Sequence, residues 1–257
     1  VSPLKLTYIG SLYVENARAI MDLQAQFAQR VDVTLNVRQG RVTIGSSPFR
    51  SAYLLSHVLP LFREKYPQIE VFLQEDNTHN LEDRALHGIV DLSLSLLPIN
   101  ETLFDYDILF EEQMLLALPP THPIAQQLGL KAGDHSHLPP LSLQHLKEMP
   151  FIQMNKGHKL HNMLHKLCEK AGFFPNVVLE TESMTTAQAL AGAGVGAALL
   201  PETLVYANHF DKEPCYLALD SKPSRTVVVI YRKGRYLSRA TRAFIATLKE
   251  YLQQSAN

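Results

Sequence analysis

The sequence predicts an α/β protein of two lobes preceded by a long helix. Three observations carry that expectation. A strand–helix–strand–helix–strand module fills residues 41–94, a second copy of it begins at Phe151, and a single apolar stripe runs down residues 8–36 before either. Strands separated by helices of about 10 to 15 residues indicate parallel pairing with helical crossovers.

Ser2-Pro3-Leu4-Lys5-Leu6 reads as short and extended, and Thr7 as the N-cap of a helix that starts at Tyr8. No proline occurs from Tyr8 to Asn36, and Ile9, Tyr13, Ala17, Ile20, Leu23, Phe27 and Val31 recur at steps of three and four. That is one stripe on a helix of about seven turns. A helix of that length must lay its stripe on something. Packing on its own domain is one solution. Its connector-like ends favour the other, pairing with a second copy through Ile9, Tyr13, Ile20, Leu23 and Phe27.

Gly40 ends the linker, and the first module opens with Val42-Thr43-Ile44-Gly45 before breaking into Ser46-Ser47-Pro48-Phe49-Arg50-Ser51. Leu54, Leu55, Val58, Leu59 and Phe62 come next at helical spacing, closed by Tyr66-Pro67. A strand over 69–73, a polar turn over 75–80, a helix to Gly88 and the strand Asp91-Leu92-Ser93-Leu94 complete the module. Residues 106–118 read as one long strand stopped by Pro119-Pro120-Thr121-His122-Pro123, and 125–148 as a His-rich loop. The second module has a strand at Phe151-Ile152-Gln153-Met154, a turn at Asn155-Lys156-Gly157 and a helix to Ala171-Gly172. Next come the strand Val177-Val178-Leu179, a helix over 181–191 and the strand Ala197-Ala198-Leu199-Leu200-Pro201. A final strand spans 226–231, and a final helix spans 237–253 with Leu237, Ala240, Phe244, Ile245, Leu248 and Leu252 on its core face.

Composition narrows the function classes. At 257 residues the chain is long enough for two lobes with cores of their own. A net charge of −1 argues for neither nucleic acid nor a membrane surface, and the basic run over 221–257 reads as a solvated face. Two distant cysteines, Cys168 and Cys215, indicate no disulfide framework and fit a reducing cytoplasm. No apolar run reaches membrane-spanning length, and no secretory leader opens the chain. Catalytic signatures are missing: there is no Gly-x-Ser-x-Gly elbow, no His-Glu-x-x-His and no phosphate loop. Gly192, Gly194 and Gly196 lie in a helix-to-strand turn, the reverse of what a dinucleotide needs, and read as structural.

In parallel sheets ligands sit at the carboxyl ends of strands, against helix N-termini. That places Ser46, Ser47 and Ser51 where backbone N–H groups and hydroxyls can hold a carboxylate, with plain N-capping as the alternative. Arg50 can supply a charge-assisted fork to a carboxylate, phosphate or sulfate, or lie on the surface. His158, His161, His165 and Cys168 share a helical arc of about 80°. They read as a polar flank rather than a zinc or copper site, so neither metal nor cofactor is expected.

Five passages in order resemble the LysR-type transcriptional regulators. Leu4-Lys5-Leu6-Thr7-Tyr8-Ile9-Gly10 is similar to the passage where the family's winged helix-turn-helix gives way to its linker helix. Val42-Thr43-Ile44-Gly45 with Leu54-Leu55, Phe62 and Tyr66-Pro67, then Gly88-Ile89-Val90-Asp91-Leu92, resemble the first effector-binding lobe. Residues 116–123 are similar to the crossover signature and residues 193–201 to the "GxGxxLLP" passage. The resemblance implies two Rossmann-like lobes of the periplasmic-binding-protein (type 2) kind, joined by two crossovers near residues 114–119 and 226–231. It implies the end of a wing at 1–6, a linker and dimerisation helix at 7–39, lobe I at 40–116 and 228–257, and lobe II at 117–227. It also implies an effector in the inter-lobe cleft. Thr78 matches a ligand-contacting position, Phe49 stands where members commonly carry Thr or Ser, and the turn of Asn155 and His158 faces the cleft from lobe II.

The expected partners are accordingly a small anionic effector, DNA through a helix-turn-helix that would precede Leu4, and further copies of the chain in a homodimer or homotetramer. RNA polymerase is a further expected partner, and a membrane is not. A solute-binding protein of a transporter is the alternative, and an enzyme on the same scaffold a more distant one.

Overall fold

A computed structural model describes residues 7–34, 40–136, 138–207 and 210–255. Residues 1–6, which the sequence reading assigns to a wing, lie outside the described residues. So does the side chain of Val31, the last member of the predicted stripe.

Helix α1 spans Tyr8–Thr34, about 40 Å at 1.5 Å per residue. Thr7 Oγ1 accepts from the Gly10 N–H at 3.1 Å and so satisfies one of the orphan donors of the first turn. The predicted stripe faces solvent: Ile9, Tyr13, Ile20, Leu23 and Phe27 are each at least 65 % exposed.

The remaining elements are, in order, β1 (Gly40–Ser46), α2 (Pro48–Arg50), a π-helical turn (Ser51–Leu55), α3 (Ser56–Lys65), β2 (Ile69–Glu75), α4 (Thr78–Leu86), β3 (Leu92–Leu96) and β4 (Phe104–Leu118). After these come α5 (Pro123–Gln127), β5 (Pro140–Leu141), β6 (Pro150–Met154), α6 (Lys159–Lys170), β7 (Asn176–Thr181), α7 (Met184–Gly192) and β8 (Ala197–Pro201). Helix α8 (Glu202–Ala207), β9 (Cys215–Leu219), β10 (Ser224–Arg232) and α9 (Arg239–Ser255) complete the chain. It divides into two units, residues 1–109 with 228–257, and residues 110–227.

In the first unit the strand order is β2-β1-β3-β10-β4. β1 pairs parallel with β2 from Gly40↔Ile69 to Ser46↔Glu75, and parallel with β3 at Ile44↔Leu92. Helices α3 and α9 pack together, α9 lies on β1, and α4 packs on β1 and β3. Phe62 meets Phe244 edge-on at 5.4 Å, and both are fully buried with Val42, Ile44, Leu55 and Leu248. Sealing each such side chain from water contributes about 1.5–3 kcal/mol. Arg235 fastens the return of β10 to this core, donating to Val90 O and pairing with Asp91 at 3.1 Å.

The second unit takes β4 onward with β8, β6 and β7 in that order, while β9 pairs with β4 and β5. β4 runs antiparallel to β8 and β9; β6 runs parallel to β7 and β8. One apolar cluster fills it, with Met114, Leu116, Phe151, Leu160, Leu164, Cys168, Leu199 and Leu217 among its members.

Several boundaries differ from the sequence reading. β4 contributes residues through Leu109 to the first unit and from Phe110 to the second. Apolar alternation does not mark it, because β4 is one continuous strand across that point. The predicted loop at 125–148 holds the end of α5, β5 and a 3-10 turn at Leu143–Leu146. α7 starts at Met184 rather than 181, because Thr181 is still paired with Met154 in the sheet. α8 and β9 lie in a stretch where the sequence pattern predicts no element.

Candidate effector site

The turn after β1 is built by its own side chains. Ser46 is fully buried and its Oγ donates to Ser47 O at 3.2 Å. Ser47 is the N-cap, accepting the Arg50 N–H on Oγ at 3.3 Å, and Pro48 occupies N1, where a missing N–H costs nothing. The sequence leaves both N-capping and an open anion-facing turn to these serines, and Ser47 demonstrably caps.

Arg50 is not a surface group: it is 5 % exposed, and its guanidinium carbon lies 4.9 Å from the centroid of the Phe49 ring. Phe49 in turn packs against Tyr53 at 5.0 Å, one helical turn on. The chain then enters the π-helical turn, and the Ser51 hydroxyl is sealed there with no hydrogen-bond partner among the described residues. A buried hydroxyl left unsatisfied costs about 1–3 kcal/mol, and π-turns concentrate at functional positions.

The turn after β2 lies alongside. Asp76 N–H donates to Ser46 O at 3.3 Å, joining the two turns at the carboxyl edge of the first unit's sheet. Thr78 is the first residue of α4, but the cap is Asn77, whose Oδ1 accepts the Asn80 N–H at 3.0 Å. Burial pushes the Asp76 carboxyl up, but hydrogen bonds from Asn80 and Asn77, together with Arg84, outweigh it and hold the group below its ordinary value. Arg84 reaches Asp76 at 2.7 Å and Gln74 at 2.7 Å, which braces this turn. A groove of about 990 Å³ between α3 and β2 lies apart from these residues, lined by Leu59, Pro60, Val71 and Phe72.

In the second unit Asn155 and His158 occupy one turn at the carboxyl end of β6. Gly157 makes that turn with φ +99°, a left-handed conformation that suits glycine. Asn155 Nδ2 donates to Glu182 at 3.4 Å, and His158 is the N-cap residue of α6 without a side-chain cap bond. Burial pulls the His158 imidazole below its ordinary value, with Glu182 opposing in part.

The His-Cys arc separates. The His161 and His165 rings turn back onto β6, reaching Met154 O and Gln153 Oε1 at 3.0 Å each. Cys168 lies on the core side, fully buried, with its thiol pushed up to about 11 by burial. Among the described residues no group of three or more His, Cys, Asp or Glu is gathered to hold a metal. Two of the three glycines are packing positions: a Cβ on Gly192 would sit 1.9 Å from Lys212 O, and one on Gly196 would sit 2.6 Å from Pro150 O, whereas Gly194 meets nothing within 4 Å and serves the turn with its φ of +94°.

The sequence reading does not single out Tyr53 or Glu182. The aromatic pair at i, i+4 signals the first; nothing local signals the second, whose neighbour Asn155 is distant in sequence.

Residues 36–253 match the model of the LysR substrate binding domain. The chain belongs to that family. YcgK of Bacillus subtilis, described as an HTH-type transcriptional regulator, is 29 % identical over 97 % of this chain and 79 % of its own length. The hydrogen peroxide-inducible genes activator of Haemophilus influenzae is 29 % identical over 89 % of this chain and 72 % of its own. The regulatory domain of CcmR from Synechocystis, solved in complex with 2-PG, superposes with a TM-score of 0.72 at 23 % identity, covering 84 % of this chain and 98 % of that one. That likeness shows the fold, an effector-binding domain of the LysR type. The LysR member is thus a transcriptional regulator rather than a transporter's solute-binding protein. None of its described helices is long and apolar enough to cross a membrane.

Proposed function

We propose that this regulator senses a small carboxylate or inorganic anion, held in the first unit by Ser46, Ser47, Phe49, Arg50 and Thr78. Asn155 and His158 of the second unit provide further contacts. The observation that carries this reading is the turn at Ser47–Ser51, where a buried guanidinium, a helix N-terminus and an unsatisfied hydroxyl lie within five residues. The protein acts in the cytoplasm without catalysing a reaction. It assembles as a homodimer or homotetramer through α1 and reaches DNA through an N-terminal helix-turn-helix, with RNA polymerase as a further partner.

A relative named for hydrogen peroxide suggests thiol oxidation as a second reading. Cys168 and Cys215 disfavour it, because both are buried and burial raises both thiols, Cys168 to about 11. The thiolate is the reactive form.

Calorimetry against sulfate, phosphate and a panel of mono- and dicarboxylates tests the proposal. One of these anions is expected to bind, and Arg50→Ala is expected to weaken it by about tenfold to a hundredfold, the loss of one charged hydrogen bond. Arg50→Lys, which keeps the charge but not the fork, should fall between. Failure of every anion to bind, or an unchanged affinity in Arg50→Ala, overturns it.

A further inference from the structure

Helix α6 lays two imidazoles, His161 and His165, against the end of β6, with ring centroids 4.7 Å apart. Their i, i+4 spacing stacks them on one face of the helix. Each ring meets an acceptor that decides which of its nitrogens carries the proton. His161 Nδ1 lies 3.0 Å from the Met154 carbonyl oxygen, which can only accept, so Nδ1 is the donor and Nε2 keeps its lone pair. His165 Nε2 lies 3.0 Å from Gln153 Oε1. The orientation of that amide is fixed in turn, because Gln153 Nε2 donates to the Glu180 carboxylate at 2.6 Å. His165 Nε2 is therefore the donor, and its Nδ1 keeps the lone pair. Gln153 is buried, so this relay is held inside the second unit. Both histidines are half-buried, yet neither lone-pair nitrogen is sealed: among the described residues, His135 Nδ1 is the side-chain nitrogen that is both buried and without a partner.

We infer that His161 Nε2 and His165 Nδ1 form a two-imidazole site for a divalent transition-metal ion, copper(II), nickel(II) or zinc(II), with water completing the coordination. Neutral imidazole is a ligand that suits all three ions. A ligating histidine is ordinarily tied at its other nitrogen to a carbonyl or a carboxylate, which fixes its tautomer and ring orientation. Here a backbone carbonyl and an amide backed by Glu180 do so before any ion arrives. The spacing of the rings also suits chelation. With metal–nitrogen bonds of about 2.0–2.1 Å each ring centroid stands about 3.2 Å from the ion, so two rings lie about 4.5 Å apart at a right angle and about 5.2 Å apart at a tetrahedral one. The observed 4.7 Å falls between these. Cys168 takes no part, because it is fully buried on the core side of α6. With two protein ligands the site is open and its binding reversible, unlike a closed structural zinc site. None of this depends on the anion reading of the first unit.

Calorimetric titration of the full chain with copper(II), nickel(II) and zinc(II), in a buffer that does not bind metal, tests the site. The chain is expected to take up one more equivalent than His161→Gln/His165→Gln, with copper bound most tightly of the three. Either single variant should weaken that equivalent by at least about tenfold, because losing a ligand costs no less than losing the partner that orients it. His145→Gln, whose ring reaches Ser142 O on an exposed turn, should leave the affinity unchanged. Long-range proton–nitrogen NMR of the unsubstituted chain needs no variant. It should show His161 protonated at Nδ1 and His165 at Nε2, and zinc should shift the ring nitrogens of both together. Equal stoichiometry in the chain and the double variant, or zinc that moves neither ring, overturns the inference.

Discussion

Arg225 Nε donates to Glu112 Oε2 at 2.7 Å, with the arginine side chain 8 % exposed and the carboxylate fully buried. Removing either partner leaves the other charge in a medium that solvates it poorly. Arg225→Met is therefore expected to destabilise the fold by about 3–5 kcal/mol. The double variant Glu112→Leu/Arg225→Met should recover most of that, because it strands neither charge. Urea unfolding of the three proteins checks the prediction; a double variant no more stable than Arg225→Met would contradict it.

Asp76 gives the fold a defined acid sensitivity. Its carboxyl is held below the ordinary 3.8 because hydrogen bonds from Asn80 and Asn77 and the charge of Arg84 outweigh burial. A carboxyl depressed in the folded state adds stability that is fully present above its unfolded value and lost as pH falls through the folded one. Asp76→Asn should thus lower the urea midpoint at pH 7 and flatten its decline below pH 3.8. Parallel midpoint-versus-pH curves for the two proteins would show that Asp76 is not the group responsible.

Cys168 and Cys215 should be silent towards thiol reagents in the native protein. Both are buried, and burial pushes the Cys168 thiol up to about 11, so little thiolate exists at pH 8 and less of it is reachable. Ellman's reagent is expected to count two thiols after guanidinium unfolding and to react far more slowly before it. Rapid native labelling at either cysteine would reopen the thiol-sensing reading.

Gly192 is irreplaceable for a reason of space. A Cβ there would stand 1.9 Å from the Lys212 carbonyl oxygen, and a backbone oxygen cannot swing aside as a side-chain tip can. Gly192→Ala should cost about 1–3 kcal/mol in thermal or urea unfolding, the range of an overpacked core. The same change at Gly129, where a Cβ meets nothing within 4 Å, suffers only from its φ of +64°.

Periodicity makes the framework readable. Leu54, Leu55, Val58 and Phe62 announce their helix because burial repeats with the helical turn, and β1 announces itself by Val42 and Ile44. β9 escapes for the opposite reason: of Cys215–Leu219 all but one are buried, so a short apolar run carries no alternation to read. At the site, Ser47 is legible as a cap because its rule is local. The burial of Arg50 is not, because a charged residue is sealed only by what the distant chain supplies around it. Nor is the pairing of Glu112 with Arg225, more than a hundred residues apart, which no spacing rule connects.

Helix α1 presents the problem of association. Ile20 and Leu23 are each 65 % exposed and Phe27 68 %, on a helix of 27 residues. A helix with no packed face is only marginally stable in water, and most helical stability comes from burying one stripe. If α1 pairs with another copy, association and helicity are coupled. Ile20→Glu/Leu23→Glu places two carboxylates in that stripe. It should lower the mass measured by sedimentation and reduce the helical signal of circular dichroism together. The unfolding midpoint of the two α/β units, whose buried cores contain none of the described side chains of α1, should stay where it was. Loss of mass without loss of helicity would mean that α1 holds itself together and the copies meet elsewhere. An unchanged mass would remove α1 from the interface altogether.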